Sequence, residues 1–266
     1  MKIAVCMSGQ LREWARAKEN QKKFWQMGEH TVDYFIHTWT TSADRTGGST
    51  HDYLERTISE GEFSEFINWY EPKKIIFDPK PTKFFYENDH WMCLFYSMVQ
   101  SFMLKKEYEL ETNTEYDIVI KTRPDLVFDP DYNFSNLYLI DGFLYTTHMG
   151  ELQFECNMIN VNDTCFYANS YTIDILINLY NYRQKTIHEF SKFKNDRHGY
   201  LNYQLMGPGV QMGEYCRDYG LTPHSIQFTH ASWMDTILRM GAPEIDLSDP
   251  KEFKKIRRYF NEWYSK

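Results

Sequence analysis

Short apolar runs alternate with amphipathic stretches along the first half of the chain. Runs that are apolar at nearly every position are typical of strands covered on both faces of a sheet, and they predict strands at residues 2–7, 32–37, 73–77 and 118–120. Helical spacing of apolar residues predicts a helix over 90–110, and another helix is expected to follow the first strand as far as residue 26. This alternation indicates an α/β fold with a mixed, mostly parallel sheet flanked by helices.

The segment between the second and third predicted strands is less regular. Residues 40–50 are rich in Gly, Ser and Thr and are expected to form a loop. Residues 51–70 are expected to form two short helices that are separated at Gly61.

The second half of the chain has a different pattern. Strands are predicted at residues 142–147, 158–161 and 225–228, a helix at 170–182, and a polar loop at 188–199. A helical stretch after this loop is expected to be interrupted at residues 207–209, which read Gly-Pro-Gly. Asp249-Pro250 is typical of a helix start and predicts a terminal helix to about residue 263. We therefore expect a single domain over residues 1–248 and a helical tail over 249–266.

Composition and charge narrow the classes of protein to consider. The chain has 266 residues, of which 42% are hydrophobic and 17% aromatic, enough for a substantial core. Its formal net charge of −8 argues against a nucleic-acid-binding protein, because such proteins usually carry a basic stripe. Binding of an anionic ligand would therefore depend on local arginines. The five cysteines form no C-x-x-C pair, which favours a reducing compartment.

The apolar amino-terminal segment, residues 1–8, is too short for a signal peptide or a membrane span, so a cytoplasmic protein is expected. Residues 252–258 alternate basic and apolar side chains. A solvated helix face explains this pattern, and a weak peripheral membrane contact is the other interpretation.

The most informative segment is 116–128, where a buried strand runs directly into polar residues and then into a second apolar run at 126–128. In open α/β sheets, ligands collect beyond the carboxyl ends of the strands. Arg123 and Asp125 at such an end could hold a phosphate, a metal-bound phosphate or a sugar hydroxyl. An ordinary surface ion pair between the two is the competing interpretation.

The other predicted strand ends supply further candidates for binding a substrate. The first predicted strand leads into a small, glycine-containing turn that suits an anion at a helix start. This turn contains Ser8, Gly9, Gln10 and Arg12, and the end of the second predicted strand adds His37 and Trp39. Tyr96 and Gln100 lie four residues apart on the predicted helix and could line a cleft. Each set has a plainer alternative: an ordinary turn, a hydrogen-bonded structural histidine, or a polar strip that faces water.

Asp163 follows another short predicted strand and could act as a general base toward an acceptor hydroxyl. Capping of the next helix is the alternative role. Neither the dinucleotide glycine fingerprint nor the phosphate-binding loop G-x-x-x-x-G-K-[ST] occurs in the chain, which argues against NAD-type dehydrogenases and P-loop kinases.

Five short segments, taken together and in order, carry a family resemblance over most of residues 2–182. They are Val-Cys-Met-Ser-Gly-Gln-Leu-Arg, Asp-Tyr-Phe-Ile-His-Thr-Trp, Phe-Tyr-Ser-Met, Tyr-Asp-Ile-Val-Ile-Lys-Thr-Arg-Pro-Asp-Leu and Asn-Asp-Thr-Cys-Phe-Tyr-Ala-Asn. The chain resembles a group of viral, phage and bacterial glycosyltransferases with a GT-A-like, Rossmann-like fold. The resemblance implies a nucleotide-sugar donor and a glycan or other hydroxyl acceptor.

The resemblance also implies roles for individual residues. In many GT-A enzymes an Asp-x-Asp motif at the corresponding strand end holds Mn²⁺ or Mg²⁺ against the sugar diphosphate. Here Asp125 keeps one acidic position as a metal ligand, whereas Arg123 stands where another carboxylate would be and could neutralise diphosphate charge directly. Residues 8–12 would border the nucleotide, and Asp163 would face the sugar or the acceptor.

Two other functions remain open at this point. A non-catalytic nucleotide- or sugar-binding module could use the same scaffold, and the incomplete acidic pair favours it. A sulfotransferase or a kinase is the third possibility, although the chain lacks a phosphate-binding loop.

Overall fold

A computed structural model of the chain describes residues 1–25, 30–45, 53–79, 90–128, 139–146, 149–151, 159–191 and 207–225. The strands are β1 Lys2–Ser8, β2 Thr31–Trp39, β3 Thr41–Arg45, β4 Tyr53–Thr57, β5 Lys74–Asp78, β6 Ile118–Thr122, β7 Phe143–Thr146, β8 Met149–Glu151, β9 Ile159–Val161, β10 Phe166–Ala168 and β11 Thr222–Ser225. The helices are α1 Trp14–Trp25, α2 Glu60–Tyr70, α3 His90–Thr112, α4 Ser170–Ile175, α5 Leu179–Ser191 and α6 Pro208–Asp218, with a 3₁₀ turn Leu176–Asn178 between α4 and α5.

A seven-stranded sheet with the order β5-β2-β1-β6-β10-β7-β11 organises the described residues. β1 pairs in parallel with β2 and β6, β2 with β5, and β7 with β11. β10 alone runs antiparallel to both of its neighbours, β6 and β7. The predicted α/β class, with a mixed and mostly parallel sheet between helices, is therefore confirmed.

The sheet buries both of its faces, which explains the continuous apolar runs of the central strands. On β1, Ile3, Val5 and Met7 pack with α1 and α2, whereas Ala4 and Cys6 pack with α3 and the later helices. These five side chains are fully buried. The packing fixes β1 and β6 at the centre of the molecule, where their ends can serve as a rigid platform.

The structure corrects the interpretation of residues 40–70. Residues 41–45 and 53–57 pair as an antiparallel hairpin of β3 and β4 instead of forming a loop and a helix. The predicted pair of short helices is one helix, α2, because the Ser59 hydroxyl accepts a hydrogen bond from the Glu62 amide at 3.2 Å and caps its start. Gly61 thus lies in the first turn of α2 and does not break it.

The second half also differs from the prediction in several places. Gly207-Pro208-Gly209 forms the start of α6, because the first helical position tolerates the missing proline N–H. The part of the predicted helical stretch that precedes Gly207 lies outside the described residues. The last described strand, β11, begins three residues before the predicted strand at 225–228 and shares Ser225 with it, and residues 226–228 lie outside the described residues. α5 continues to Ser191 through the start of the predicted polar loop. The three-residue strand β10 was not predicted at all. The proposed tail, 249–266, lies outside the described residues.

Candidate functional site

The carboxyl ends of four neighbouring parallel strands meet at one edge of the sheet, called here the carboxyl edge. These strands are β5, β2, β1 and β6, and they end at Asp78, Trp39, Ser8 and Thr122. Because β10 runs in the opposite direction, its beginning brings the preceding turn, residues 162–165, to the same edge. The topology therefore brings together most of the candidates that follow predicted strands.

The turn after β1 requires glycine for its backbone conformation. Gly9 has φ +124°, in the region that L side chains rarely adopt. Its N–H donates to the His37 carbonyl at 3.3 Å and to the Ser97 hydroxyl at 3.1 Å. A Cβ atom built on Gly9 would lie 3.9 Å from Cδ of Pro124, so this turn packs directly beside the loop that follows β6.

Arg123 and Asp125 form a two-point ion pair in this loop. Nε of Arg123 donates to Oδ1 of Asp125 at 2.8 Å, and Nη2 donates to Oδ2. The Asp125 side chain is only 4% exposed, against 24% for Arg123. Burial alone would raise the pKa of the Asp125 carboxyl, but the charges of Arg123 and Arg12 outweigh it and lower that pKa below its usual value. The carboxylate is thus ionised, with two guanidinium groups close to it.

Two amide side chains of α1 hold this loop in place. Nε2 of Gln21 donates to the carbonyls of Arg123, Pro124 and Leu126 at 3.1, 3.0 and 2.7 Å. Asn20 exchanges two hydrogen bonds with the Phe128 backbone, at 3.0 and 2.7 Å. The predicted apolar run 126–128 is consequently buried but is held as a loop and not as a strand.

Lys121 connects the end of β6 to the turn that carries Asp163. The lysine is 1% exposed, and its Nζ donates to the carbonyls of Asp163 at 2.6 Å and Thr164 at 3.0 Å. Burial lowers the pKa of Lys121 to about 8, against the opposing charge of Asp163. The Asn162 side chain accepts from the Thr164 amide at 2.8 Å and closes the turn. Asp163 is partly buried within it.

His37 is fully buried and belongs to a hydrogen-bonded chain behind the Gly9 turn. Its Nδ1 lies 2.8 Å from the Ser97 hydroxyl, and its Nε2 lies 3.2 Å from a carboxylate oxygen of Asp78. Burial lowers the pKa of His37, although the Asp78 carboxylate opposes that shift. His37 and Trp39, which is 3% exposed, are both interior side chains. They support the edge through Ser97, Asp78 and ring contacts.

Tyr96 and Gln100 lie at different distances from the carboxyl edge along α3. The Tyr96 hydroxyl donates to Asp78 at 2.9 Å, and its ring stacks on Trp39 with centroids 5.8 Å apart. α3 begins at the carboxyl edge and runs back along the sheet, so Gln100 lies one turn farther from that edge. Tyr96 and Gln100 are both partly exposed.

Four residues that shape this edge had no site role in the sequence pattern: Asn20, Gln21, Asp78 and Lys121. Lys121 gave a usable signal, because a lysine that directly continues an apolar strand must find buried partners. The partners of Gln21 and Ser97 lie 49 to 105 positions away in sequence. No local pattern indicates those contacts.

The described residues do not fit a divalent metal at Asp125. Among them, no group of three or more His, Cys, Asp or Glu side chains is arranged to hold an ion. Both carboxylate oxygens of Asp125 accept hydrogen bonds from Arg123, so the guanidinium group already occupies the side of the carboxylate that a metal ion would bind. The proposed metal-ligand role of Asp125 thus disagrees with the observed set of donors.

No protein-family model and no curated protein matches this sequence. Separately, no helix among the described residues is long and apolar enough to cross a membrane.

Several solved structures resemble the chain at 10–13% identity and TM-scores of 0.33–0.34. A glycosyltransferase involved in glycosylation of the major capsid of PBCV-1 has 13% identity and a TM-score of 0.34; the alignment covers 72% of this chain and 77% of that one. The apo-form glycosyltransferase GlyE of Streptococcus pneumoniae TIGR4 has 12% identity and a TM-score of 0.34, covering 99% of this chain and 63% of that one.

A nucleoside-diphosphate-sugar pyrophosphorylase from Vibrio cholerae RC9 has 10% identity and a TM-score of 0.33, covering 84% of this chain and 90% of that one. At these scores the similarities assign neither a fold family nor an activity to this chain.

Proposed function

We propose that the protein is a glycosyltransferase with a GT-A-like fold, which transfers a sugar from a nucleotide-sugar donor to a hydroxyl of a glycan or another acceptor. One observation carries the proposal. The Gly9 turn, Arg12 and the Arg123–Asp125 pair lie together at the carboxyl edge, in the segments that directly follow two central strands, β1 and β6, of a mostly parallel sheet. A glycine turn with adjacent guanidinium groups suits a diphosphate, which needs close backbone approach and positive charge.

The proposed chemistry follows from the charges at this edge. The acceptor oxygen forms a bond to the anomeric carbon of the sugar, while the bond between that carbon and the diphosphate oxygen breaks. The electron pair of the broken bond stays on the diphosphate, where Arg12 and Arg123 offset the growing negative charge. Asp125 orients Arg123 through its two hydrogen bonds.

Asp163 is our candidate for the group that accepts the proton of the acceptor hydroxyl. It lies on the turn before β10, which Lys121 holds against the end of β6. A carboxylate on this side of the edge would face the sugar from the direction opposite to the Gly9 turn. We further propose a reducing, cytoplasmic setting, which the buried free thiols of Cys6, Cys165 and Cys216 support.

The test is incubation of the purified protein with UDP-, GDP- and CMP-sugars, with release of the nucleoside phosphate as the readout. We expect slow hydrolysis of one donor class. Arg123→Gln should reduce it by about 10²–10³-fold, the usual effect of removing one group that stabilises a developing anion. Arg56→Gln is the matched control, because Arg56 also grips a carboxylate at two points, with Nη1 and Nη2 at 2.7 and 3.0 Å from Glu62.

The outcome also separates the other functions. Donor binding without hydrolysis under any condition would favour a non-catalytic binding module, for which the engagement of Asp125 by Arg123 is the supporting observation. Unchanged turnover in Arg123→Gln would refute the assigned role of this arginine. A shift in melting temperature with adenosine 3′,5′-bisphosphate alone would favour a sulfotransferase.

A further inference from the structure

Among the described residues, the charged side chains that act on Asp125 and on the neighbouring Lys121 are more often basic than acidic. Arg12 and Arg123 both act on the Asp125 carboxyl, and Lys121 is close enough to feel the charges of Arg123, Asp125 and Asp163. Three basic side chains thus face two carboxylates. Such a site attracts an anion and opposes a divalent cation, because like charges at short range repel strongly when they are shielded from water.

The geometry of Asp125 leads to the same conclusion independently of net charge. A divalent ion would have to displace the Arg123 guanidinium from both carboxylate oxygens. It would then lie beside that guanidinium and beside Arg12 in a place where the carboxylate is only 4% exposed. The backbone of this loop is also fixed by Gln21, so Asp125 cannot easily turn toward another ligand.

We infer that the diphosphate of the donor is bound, and its departure assisted, by the guanidinium groups of Arg12 and Arg123 without a divalent metal ion on Asp125. The part of this inference that concerns the donor rests on the function proposed above. The part that concerns the metal is a property of the Arg123–Asp125 pair alone. Arg123 occupies the position of the metal ion relative to the carboxylate and supplies positive charge in its place.

This arrangement has a consequence that can be measured. If Arg123 is what keeps a metal away from Asp125, its removal should expose a carboxylate that can bind one. Arg123→Ala should then tighten Mn²⁺ binding by about tenfold or more, because a positive charge held against both Asp125 oxygens no longer competes with the ion or repels it at short range. Arg123→Lys keeps a positive charge beside Asp125 and should remain close to the unsubstituted protein.

The first experiment is a titration with Mn²⁺ alone, followed by the paramagnetic resonance signal of the free ion. The proteins are the unsubstituted chain, Arg123→Ala, Arg123→Lys, Asp125→Asn and the control Arg56→Ala. We expect a gain of binding in Arg123→Ala only. Mn²⁺ binding by the unsubstituted chain that Asp125→Asn removes would overturn the inference.

The second experiment measures binding of UDP and GDP by calorimetry, in EDTA and in MnCl₂. We expect one of them to bind with affinities that agree within about twofold in the two buffers, well below the tenfold change that 1.4 kcal/mol would cause. Binding that needs MnCl₂ would overturn the inference and leave the proposed function standing. If neither nucleotide binds in either buffer, the inference that Arg12 and Arg123 bind a donor diphosphate fails, whereas the hydrolysis assay with CMP-sugars still tests the proposed function. The Mn²⁺ titration then decides separately whether Asp125 holds a metal. That comparison remains valid if Arg123→Ala does not fold, because it then rests on the unsubstituted chain and Asp125→Asn.

Discussion

His37 shows at the scale of a single residue how a plausible ligand-binding group can be a supporting one. Its ring is fully buried, between the Ser97 hydroxyl and the Asp78 carboxylate. Ser97 in turn accepts the N–H of Gly9. His37 therefore helps to fix the Gly9 turn from behind, through a chain of three side chains that ends at the carboxyl edge.

The buried ring of His37 predicts a loss of stability in mild acid. In the unfolded chain this histidine takes up a proton as the pH falls through its ordinary pKa of 6.5, whereas in the folded protein the pKa is lower. Below about pH 6.5 the unfolded state thus binds more protons, and the free energy of unfolding decreases as the pH falls toward the folded-state pKa. His37→Gln should flatten this dependence in urea titrations from about pH 7 to pH 5. An equally steep dependence in the variant would show that other groups cause it.

The residues of the candidate site could be predicted only where a strand delivers them directly. Arg123 and Asp125 follow an apolar strand in an α/β pattern, and that placement at a sheet edge is what the structure shows. The ion pair between Arg123 and Asp125, and the position of Arg12 close to Asp125, depend on how α1 packs across the sheet. Those are long-range contacts without a local sequence pattern.

At the scale of elements, α1 fixes the loop after β6 through side-chain hydrogen bonds. Its inner face carries amides at Asn20 and Gln21, among the apolar residues Ala17 and Phe24. These amides supply hydrogen bonds to four carbonyls of residues 123–128 that no strand partner satisfies, and Tyr70 of α2 donates to Oε1 of Gln21 at 3.0 Å. The position of Arg123 is therefore set by a helix that contributes no group to the proposed reaction.

Gln21→Leu should reduce the free energy of unfolding by about 1–3 kcal/mol, because it leaves buried carbonyls without a donor. We also expect weaker donor hydrolysis, since Arg123 and Asp125 lose their backbone support. Urea titration and the hydrolysis assay measure the two effects. Glu19→Ala, an exposed position on the same helix, is the control and should change neither. Full activity in a destabilised Gln21→Leu would mean that the loop keeps its shape without these hydrogen bonds.

Elements were predictable where apolar residues follow a regular pattern, and not where the element is polar or lacks such a pattern. The central strands and α3 follow from apolar runs and helical spacing over many residues. The β3–β4 hairpin has polar, Ser- and Thr-containing strands of five residues each, which resemble a loop in sequence. β10 has three residues and no alternation of apolar and polar positions, whereas β9, which is equally short, has a polar Asn160 between Ile159 and Val161.

At the scale of the whole molecule, β10 joins two parts of the sheet. The parallel strands β5, β2, β1 and β6 lie on one side of it, and β7 and β11 lie on the other. Lys121 bridges the junction, because its buried Nζ reaches from β6 to the turn before β10. This contact sets how Asp163 is placed relative to Arg123 and Asp125.

If Lys121 acts on activity by placing Asp163, the effects of changing the two residues should not add. Lys121→Met and Asp163→Asn should each slow transfer of the sugar from the donor, and the double variant should be about as slow as Asp163→Asn alone. The measurement is kcat and KM for all four proteins. Lys105→Met is a matched control: this lysine is also fully buried, but it pairs with Glu109 and Asp174 on the helices. Additive losses would mean that Lys121 contributes only to stability.

The reversed direction of β10 has an evolutionary consequence. The chain runs toward the carboxyl edge along β1 and β6, whereas β10 runs away from it, so the turn at 162–165 reaches the same edge from a separate stretch of the chain. Under the proposed function, substitutions in the later stretch would therefore change which acceptor hydroxyl is selected, and would leave the donor contacts proposed for the earlier stretch unchanged.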